Sequence, residues 1–174
     1  MNFIYHGVPE PMHGKALIPL NEMGAKMTEI RSIHTTKYSG REAIMQRKIP
    51  LLDCLWNDVV QFLPLQPQTV FALQKELKLI PSIPAYKFFE IDINSLNPQK
   101  TVVFFKTAPG EENVSVRWLS DVNFEDLQKI PPATINYYRS LAGTGEMPFN
   151  YQFVPHILYR GDVDISKSNI VTLG

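Results

Sequence analysis

The sequence has a single cysteine, Cys54, among its 174 residues. An intramolecular disulfide and a multi-cysteine metal site are therefore excluded. Cys54 lies in an apolar run, which favours a small buried side chain over a reactive thiol. An excess of one charge sign is also missing, because Lys plus Arg and Asp plus Glu each number 17. No global positive field is available to gather nucleic acid, although a local basic groove stays open.

Long apolar runs are missing as well. No segment approaches the roughly 18 apolar residues that a membrane-spanning helix needs, and the first residues show no basic region followed by an apolar stretch. We therefore expect a cytoplasmic protein without membrane contact, with export by a signal-less route left open. The common phosphate-loop, dinucleotide, zinc-protease and serine-hydrolase motifs are absent. His6 and His13 are poorly spaced for a metal site, so we expect no metal.

Fourteen prolines keep the predicted elements short. Apolar periodicity and turn residues predict strands at 3–6, 54–63, 88–93, 101–105, 153–160, 163–165 and 170–173. The same signals, with capping residues, predict helices at 27–39, 41–48, 67–79, from 123 onward and at 132–141. This order lacks the regular alternation of strand and helix that builds a parallel sheet. The sequence therefore predicts one α+β domain over residues 1–174 with a mainly antiparallel sheet.

Tyr5-His6-Gly7 is the first candidate for chemistry. A histidine at the end of a strand can project into a crevice beside a sheet, and a glycine lets a ligand approach the backbone. The competing interpretation is a half-buried histidine that closes a loop.

Two further segments combine polar and aromatic residues. Trp56, Asn57 and Asp58 can stack on and hydrogen-bond a flat heterocycle, or can be a core tryptophan beside a turn. His156 alternates with apolar neighbours, a pattern typical of a core histidine with a satisfied hydrogen bond. The aromatic stretch 147–153 is interpreted as a strand entering the core, with an exposed patch as the alternative.

Several of these segments together resemble the ADP-ribosyltransferase-like folds, and the nearest pattern is the bacterial DNA-thymidine ADP-ribosyltransferase toxin family (DarT-like). The segments are Tyr5-His6-Gly7, Arg47, the stretch from Trp56 through Pro64, and the closing stretch from Pro155 to Leu173. The chain is also similar to a group of small bacterial proteins with YHG, CLWNDV and PHILY segments, from which no function follows. The family resemblance implies a split, mainly antiparallel sheet with flanking helices.

The resemblance also implies roles for individual residues. His6 would hold the NAD ribose, the backbone of Gly7 the nicotinamide carboxamide, and Arg47 a phosphate, while an aromatic such as Trp56 stacks. The position of the family's catalytic glutamate falls on His156. A carboxylate there supports the oxocarbenium character of the breaking nicotinamide–ribose bond, and a neutral imidazole supplies no such charge.

Three hypotheses follow from these observations. The first is an NAD-dependent ADP-ribosyltransferase-like enzyme acting on a nucleic acid or protein acceptor, with His6, Arg47 and His156 as catalytic residues. Its cofactor side would be formed by Tyr5, Gly7, Trp56, Asn57 and Asp58. The second is a catalytically inactive module of the same fold that binds a nucleotide or a protein. The third is an interaction protein without a small-molecule site.

Overall fold

The structure is a computed structural model that describes residues 2–12, 14–24, 27–40 and 42–174. His13, considered above for a metal site, and Arg41, at the start of a predicted helix, lie outside the described residues. The α-helices are α1 (Thr28–Thr35), α2 (Pro67–Glu76), α3 (Phe124–Leu127) and α4 (Pro132–Leu141). Across the described ranges, no helix is long and apolar enough to cross a membrane.

Strands dominate the architecture. They are β1 (Phe3–Gly7), β2 (Ala16–Leu17), β3 (Lys48–Ile49), β4 (Cys54–Leu55), β5 (Val60–Phe62), β6 (Lys87–Asp92), β7 (Thr101–Lys106), β8 (Val114–Trp118), β9 (His156–Tyr159), β10 (Val163–Asp164) and β11 (Asn169–Thr172). One sheet has three strands in the order β1-β6-β11, and another has four in the order β5-β9-β7-β8. Two short pairs, β10-β2 and β3-β4, complete the pairing. Every paired strand in the described residues is antiparallel to its neighbour.

The two larger sheets meet at one point. Tyr5 in β1 forms an isolated antiparallel bridge with Leu63, directly after β5. The bridge has two backbone hydrogen bonds, of 2.9 Å and 2.8 Å, between these residues. The two larger sheets therefore meet edge to edge at this bridge and separate beyond it, and we call this point the split. A mixed fold with antiparallel sheets and few helices agrees with the predicted α+β class, and the assignment to one domain stays a prediction.

The helices begin where local chemistry favours them. Pro67 and Pro132 stand at the first positions of α2 and α4, where the missing proline N–H costs nothing. The side chain of Asn123 accepts a hydrogen bond from the backbone N–H of Glu125 and so caps α3. These three helix starts confirm the predicted ones.

Three predicted elements differ from the structure. The helix expected at 41–48 is a 3-10 turn over Glu42–Gln46. The continuous strand expected at 54–63 is interrupted by a 3-10 turn at Trp56–Asp58, because the Asp58 carboxylate accepts the backbone N–H of Leu55 at 2.7 Å. The stretch 147–153 is not a strand either, and Met147 and Phe149 within it are exposed.

The central strand β7 explains how the core is organised. Thr101 to Phe104 are all buried, because β7 lies between β9 and β8 and side chains from both faces meet apolar layers. Val103 belongs to one apolar cluster and Val102 to another, on the opposite face. A third cluster packs α2 and α4 against the three-stranded sheet around Phe71, Phe88 and Tyr138.

Candidate functional site

His6 occupies the point where the sheet splits. If the antiparallel pairing of Tyr5 with Leu63 continued, Gly7 and Gln61 would form the next hydrogen-bonded pair. In the structure the Gln61 carbonyl oxygen bonds a side chain instead: it lies 2.7 Å from the Nδ1 atom of His6. The imidazole also contacts the Phe62 ring edge-on, with 5.7 Å between the ring centroids. The side chain of His6 therefore bonds the Gln61 carbonyl, which the backbone of β1 leaves without a partner.

A cleft of about 920 Å³ opens beside this split. His6, Arg47 and His156, the three residues proposed from the sequence as catalytic, all line it. They come from β1, from the residue before β3 and from the first residue of β9. The structure thus brings together three side chains that are far apart in the sequence.

The environment of His6 keeps its imidazole neutral. Burial, with smaller contributions from the nearby Lys37 and His34, lowers the pKa of His6 from 6.5 to about 4. Because the Gln61 carbonyl can only accept, Nδ1 carries the proton and Nε2 keeps a lone pair. At neutral pH, His6 can therefore accept a hydrogen bond from a ligand hydroxyl.

Arg47 is held by aromatic rings and a carboxylate. Its guanidinium carbon lies 5.5 Å from the centre of the Trp56 ring and 5.3 Å from that of Phe104. The two rings are themselves packed edge to face. The guanidinium also forms an ion pair with Glu111, whose side chain is 68% exposed, whereas that of Arg47 is 17% exposed. An ion pair with so exposed a partner is weak, so the stacked rings fix the arginine more firmly than Glu111 does.

His156 resembles His6 in its hydrogen bonding. Its Nδ1 atom lies 2.9 Å from the carbonyl oxygen of Val154, which leaves Nε2 as an acceptor in the neutral ring. Burial lowers the pKa of His156 as well. Its cross-strand neighbour is Phe104, the same residue that packs against Arg47. His156 is thus a neutral acceptor on the wall of the cleft rather than a sealed core residue.

Gly7 lines the cleft without being required by the backbone. A Cβ built at Gly7 would meet only the Phe88 side chain, at 3.9 Å, which is ordinary van der Waals contact. The fold therefore tolerates a side chain there. Its neighbour Tyr5 also lines the cleft but is only 5% exposed, and its hydroxyl donates to Glu90 at 3.2 Å.

The segment 56–58 divides between different environments. Trp56 lines the cleft. Asn57 is not among the residues that line this cleft, and lines instead a small neighbouring pocket and a surface groove beside α1. Asp58 uses both carboxylate oxygens for local structure, since it accepts from the Leu55 N–H and from the Asn21 amide. Trp56 alone of the three lines the cleft, and with 8% of its surface exposed it is mainly a core tryptophan packed against Phe104 and Arg47.

The cleft also has polar and aromatic residues that the sequence motifs did not indicate. Lys37 and Lys87 join Arg47 on its wall, where Glu10 is the acidic residue among the described lining residues. In the described part of the chain, three cationic side chains thus line the cleft against one lining carboxylate, with Glu111 as the exposed ion-pair partner of Arg47. Aromatic residues beyond Tyr5 and Trp56 add flat apolar surface: Tyr38, Phe62, Tyr86, Phe88 and Tyr151. These lysines and tyrosines are scattered along the sequence without a regular spacing, and they come together at the cleft only in the folded chain.

No group of three or more His, Cys, Asp or Glu side chains is placed to hold a metal ion in the part of the chain that the structure describes. Cys54 is buried and unpaired with another cysteine, and burial raises the pKa of its thiol.

Comparison of the chain with protein-family models, with curated proteins and with solved structures finds no match.

Proposed function

We propose that this protein binds NAD in the cleft beside the split of the sheet and uses it as a donor of ADP-ribose to a nucleic acid or protein acceptor. The observation that carries the proposal is the presence of His6, Arg47 and His156 on the wall of one cleft of about 920 Å³. A volume of roughly 300–1,000 Å³ is usual for small-molecule and cofactor sites. A split antiparallel sheet is also what the resemblance to the ADP-ribosyltransferase-like folds implies.

The positive wall suits the pyrophosphate of NAD. Arg47, Lys37 and Lys87 face a single lining carboxylate, Glu10, among the described residues. Arginine binds phosphate through paired, charge-assisted hydrogen bonds. The rings of Trp56 and Phe104 already orient the guanidinium, so little of its freedom remains to be lost on binding.

The neutral His6 suits a ribose. A ribose hydroxyl is a donor, and the Nε2 atom of His6 accepts while Nδ1 stays bonded to Gln61. The adjacent Gly7 has no side chain, so a flat carboxamide can approach its backbone. The space that a Cβ would occupy there has only the Phe88 side chain within contact distance.

The transfer step requires a leaving group, a nucleophile and a proton acceptor. Nicotinamide leaves with the electron pair of its bond to the ribose, and the acceptor's oxygen or nitrogen forms the new bond to that ribose carbon. The acceptor's proton passes to a base, and in this proposal the base is the neutral imidazole of His156, which lines the cleft. In this proposal Glu10, the carboxylate among the described lining residues, is the group that would supply negative charge to the oxocarbenium-like transition state.

Calorimetry with NAD and with ADP-ribose, together with chromatography of released nicotinamide, tests the proposal. We expect binding of both ligands and nicotinamide release, with release lost in His6→Ala. Lys100→Ala is the control, because Lys100 is exposed and is not among the lining residues of the cleft. Absence of both binding and nicotinamide release would overturn the proposal.

Gly7→Ala separates ligand binding from folding. The added methyl group meets only ordinary contact with Phe88, so the variant should fold with unchanged stability. A ligand that approaches the Gly7 backbone should nevertheless bind at least several-fold more weakly. Unchanged NAD affinity would remove Gly7 from the site.

A second candidate is a module that binds the nucleotide without turning it over. The observation that favours it is the neutral His156 at the position where the resemblance implies a catalytic carboxylate. Binding of NAD and ADP-ribose without nicotinamide release, with or without added nucleic acid and protein acceptors, would select this candidate.

A further inference from the structure

A second, smaller pocket of about 100 Å³ lies behind His6. It is bounded by α1, by the segments on either side of β2 and by the start of β5. Six residues line both this pocket and the large cleft: His6, Pro9, His34, Lys37, Tyr38 and Gln61. These shared residues form a partition, so the small pocket adjoins the cleft but has walls of its own.

The remaining walls of the pocket are mostly apolar and adaptable. They contain three methionines, Met12, Met23 and Met27, and several branched aliphatic residues such as Ile30 and Val60. Methionine is flexible and polarizable, so walls rich in it adapt to flat ligands of different outline. The volume is about two-thirds of that of an engineered protein cavity of about 150 Å³ that binds benzene. One six-membered ring is therefore the largest group that this pocket can hold, and the flexible methionine side chains must move to admit it.

One polar group on the wall has no partner. Asn57 is only 7% exposed, and its Oδ1 atom is buried without a hydrogen bond. Its neighbour Asp58, by contrast, accepts hydrogen bonds on both oxygens. A buried amide oxygen ordinarily accepts a hydrogen bond within the protein. Without one, folding loses the hydrogen bond that the oxygen made to water and gains none in its place. Asn57 is the one polar residue among the described residues that line this pocket but not the cleft, so its unpaired acceptor is the group to which a ligand with a donor would bind.

We propose that this pocket is a binding site for a small, mainly apolar single-ring compound that carries one N–H or O–H donor, which pairs with the Asn57 side chain. The apolar walls hold the ring, and Asn57 selects rings with a donor over rings without one. The site goes beyond the proposed NAD function, because such a ligand needs neither phosphate nor the positive wall of the cleft.

Phenol and anisole are the probes, since the two share one ring and differ in the hydroxyl donor that anisole lacks. Protein with ¹³C-labelled methionine methyl groups is titrated with each probe and followed by NMR. We expect shifts at Met12, Met23 and Met27, with Met45 and Met147, which are not among the pocket-lining residues, as internal controls. Phenol should bind about tenfold more tightly than anisole, the ratio that one additional hydrogen bond of typical strength provides.

Asn57→Leu tests the role of the amide, because leucine has a similar size and no polar atom. In this variant the tenfold preference for phenol should disappear, while anisole binds as in the wild type. Gln74→Leu is the matched control: Gln74 also has a buried, unpaired side-chain oxygen but is not among the residues of this pocket. It should keep the preference.

The wild-type comparison stands even if Asn57→Leu does not fold. Equal affinity of the wild type for phenol and anisole would overturn the proposal. So would the absence of shifts at the three lining methionines with both probes at millimolar concentration. Because neither probe contains phosphate, these outcomes are independent of whether NAD binds the cleft.

Discussion

The Nδ1 atom of His6 donates a 2.7 Å hydrogen bond to the carbonyl oxygen of Gln61, in place of the backbone pairing that would close the two sheets. One side chain therefore both satisfies the Gln61 carbonyl of β5 and leaves the two sheets separated beside the cleft. The structural and the proposed ligand-binding roles of His6 depend on opposite edges of the same imidazole ring.

The stability of the split should depend on this donor. In His6→Leu the Gln61 carbonyl loses its partner, and we expect the free energy of unfolding to fall by about 1–3 kcal/mol. His6→Asn keeps a donor N–H near the position of Nδ1 and should lose less. Urea denaturation of the two variants measures the difference. Equal stability of His6→Asn and His6→Leu would show that the hydrogen bond to Gln61 contributes nothing.

The lowered pKa of His6 predicts a dependence of stability on pH. In the folded protein its pKa is about 4, against 6.5 for an unperturbed histidine, so the unfolded chain takes up the proton first as the pH falls. The contribution of neutral His6 is complete above pH 6.5 and is lost progressively as the pH falls towards 4. Its full size is about 3 kcal/mol.

Urea denaturation at a series of pH values between 7 and 4 measures this slope. His34 and His156, whose pKa values are also lowered, add to the slope in the same direction. The comparison that isolates His6 is therefore wild type against His6→Asn, which should have the flatter profile. Parallel profiles would mean that His6 titrates normally in the folded protein.

Glu111 should weaken the binding of anions at Arg47. The two form an ion pair whose acidic partner is largely exposed, so its removal costs little stability. Glu111→Gln should raise the affinity for ADP-ribose about two- to five-fold. In the wild type the phosphate must displace the Glu111 carboxylate from the guanidinium, and in the variant it need not. Arg47→Ala should lower it at least tenfold.

Calorimetry with ADP-ribose at low and high salt measures both effects. Glu112→Gln removes a neighbouring exposed carboxylate that forms no ion pair with Arg47 in the described residues, so it serves as the control. A gain in affinity as large in Glu112→Gln as in Glu111→Gln would point to general charge rather than to the Arg47 pair.

Local signals in the sequence were sufficient for several elements of the fold. The limits of α4 were predicted from Pro132 and from Gly143 beyond its end, and β7 from its uninterrupted apolar run. The strand β8 was missed, because it is an edge strand in which exposed Ser115 and Arg117 alternate with half-buried residues. The turn at Trp56–Asp58 was missed too, since only the structure shows the Asp58 carboxylate on the Leu55 N–H.

The site could be predicted only in part for a similar reason. His6 and Gly7 stand at a recognisable strand end, and the resemblance added Arg47 and His156. The cleft itself depends on the pairing of Tyr5 with Leu63, which are far apart in the sequence. The apolar periodicity of a sequence predicts strands but does not show which strands pair. The unpaired oxygen of Asn57 is likewise visible only once the surrounding side chains are placed.

The loop that carries Asn150 and Tyr151 to the cleft is anchored by a buried polar network. The hydroxyl of Tyr138, which is fully buried in α4, donates to the Asn150 carbonyl oxygen. From the same helix, Thr134 donates to the Gln152 carbonyl oxygen at 2.8 Å. These bonds hold a segment without regular structure against the cleft wall, where both Asn150 and Tyr151 are lining residues.

Tyr138→Phe should therefore loosen this loop while the helix remains folded. Phenylalanine keeps the ring in the core but leaves the Asn150 carbonyl unpaired, so we expect a loss of about 1–3 kcal/mol in the free energy of unfolding. Hydrogen exchange of the backbone amides at 150–154 should become faster, and those of β7 should change only through the lower global stability. Tyr159→Phe removes a hydroxyl from a half-buried tyrosine of β9, outside the loop, and is the control. If the two variants exchange alike at 150–154, Tyr138 does not anchor the loop, and the position of Tyr151 at the cleft must depend on its ring contact with Phe71 instead.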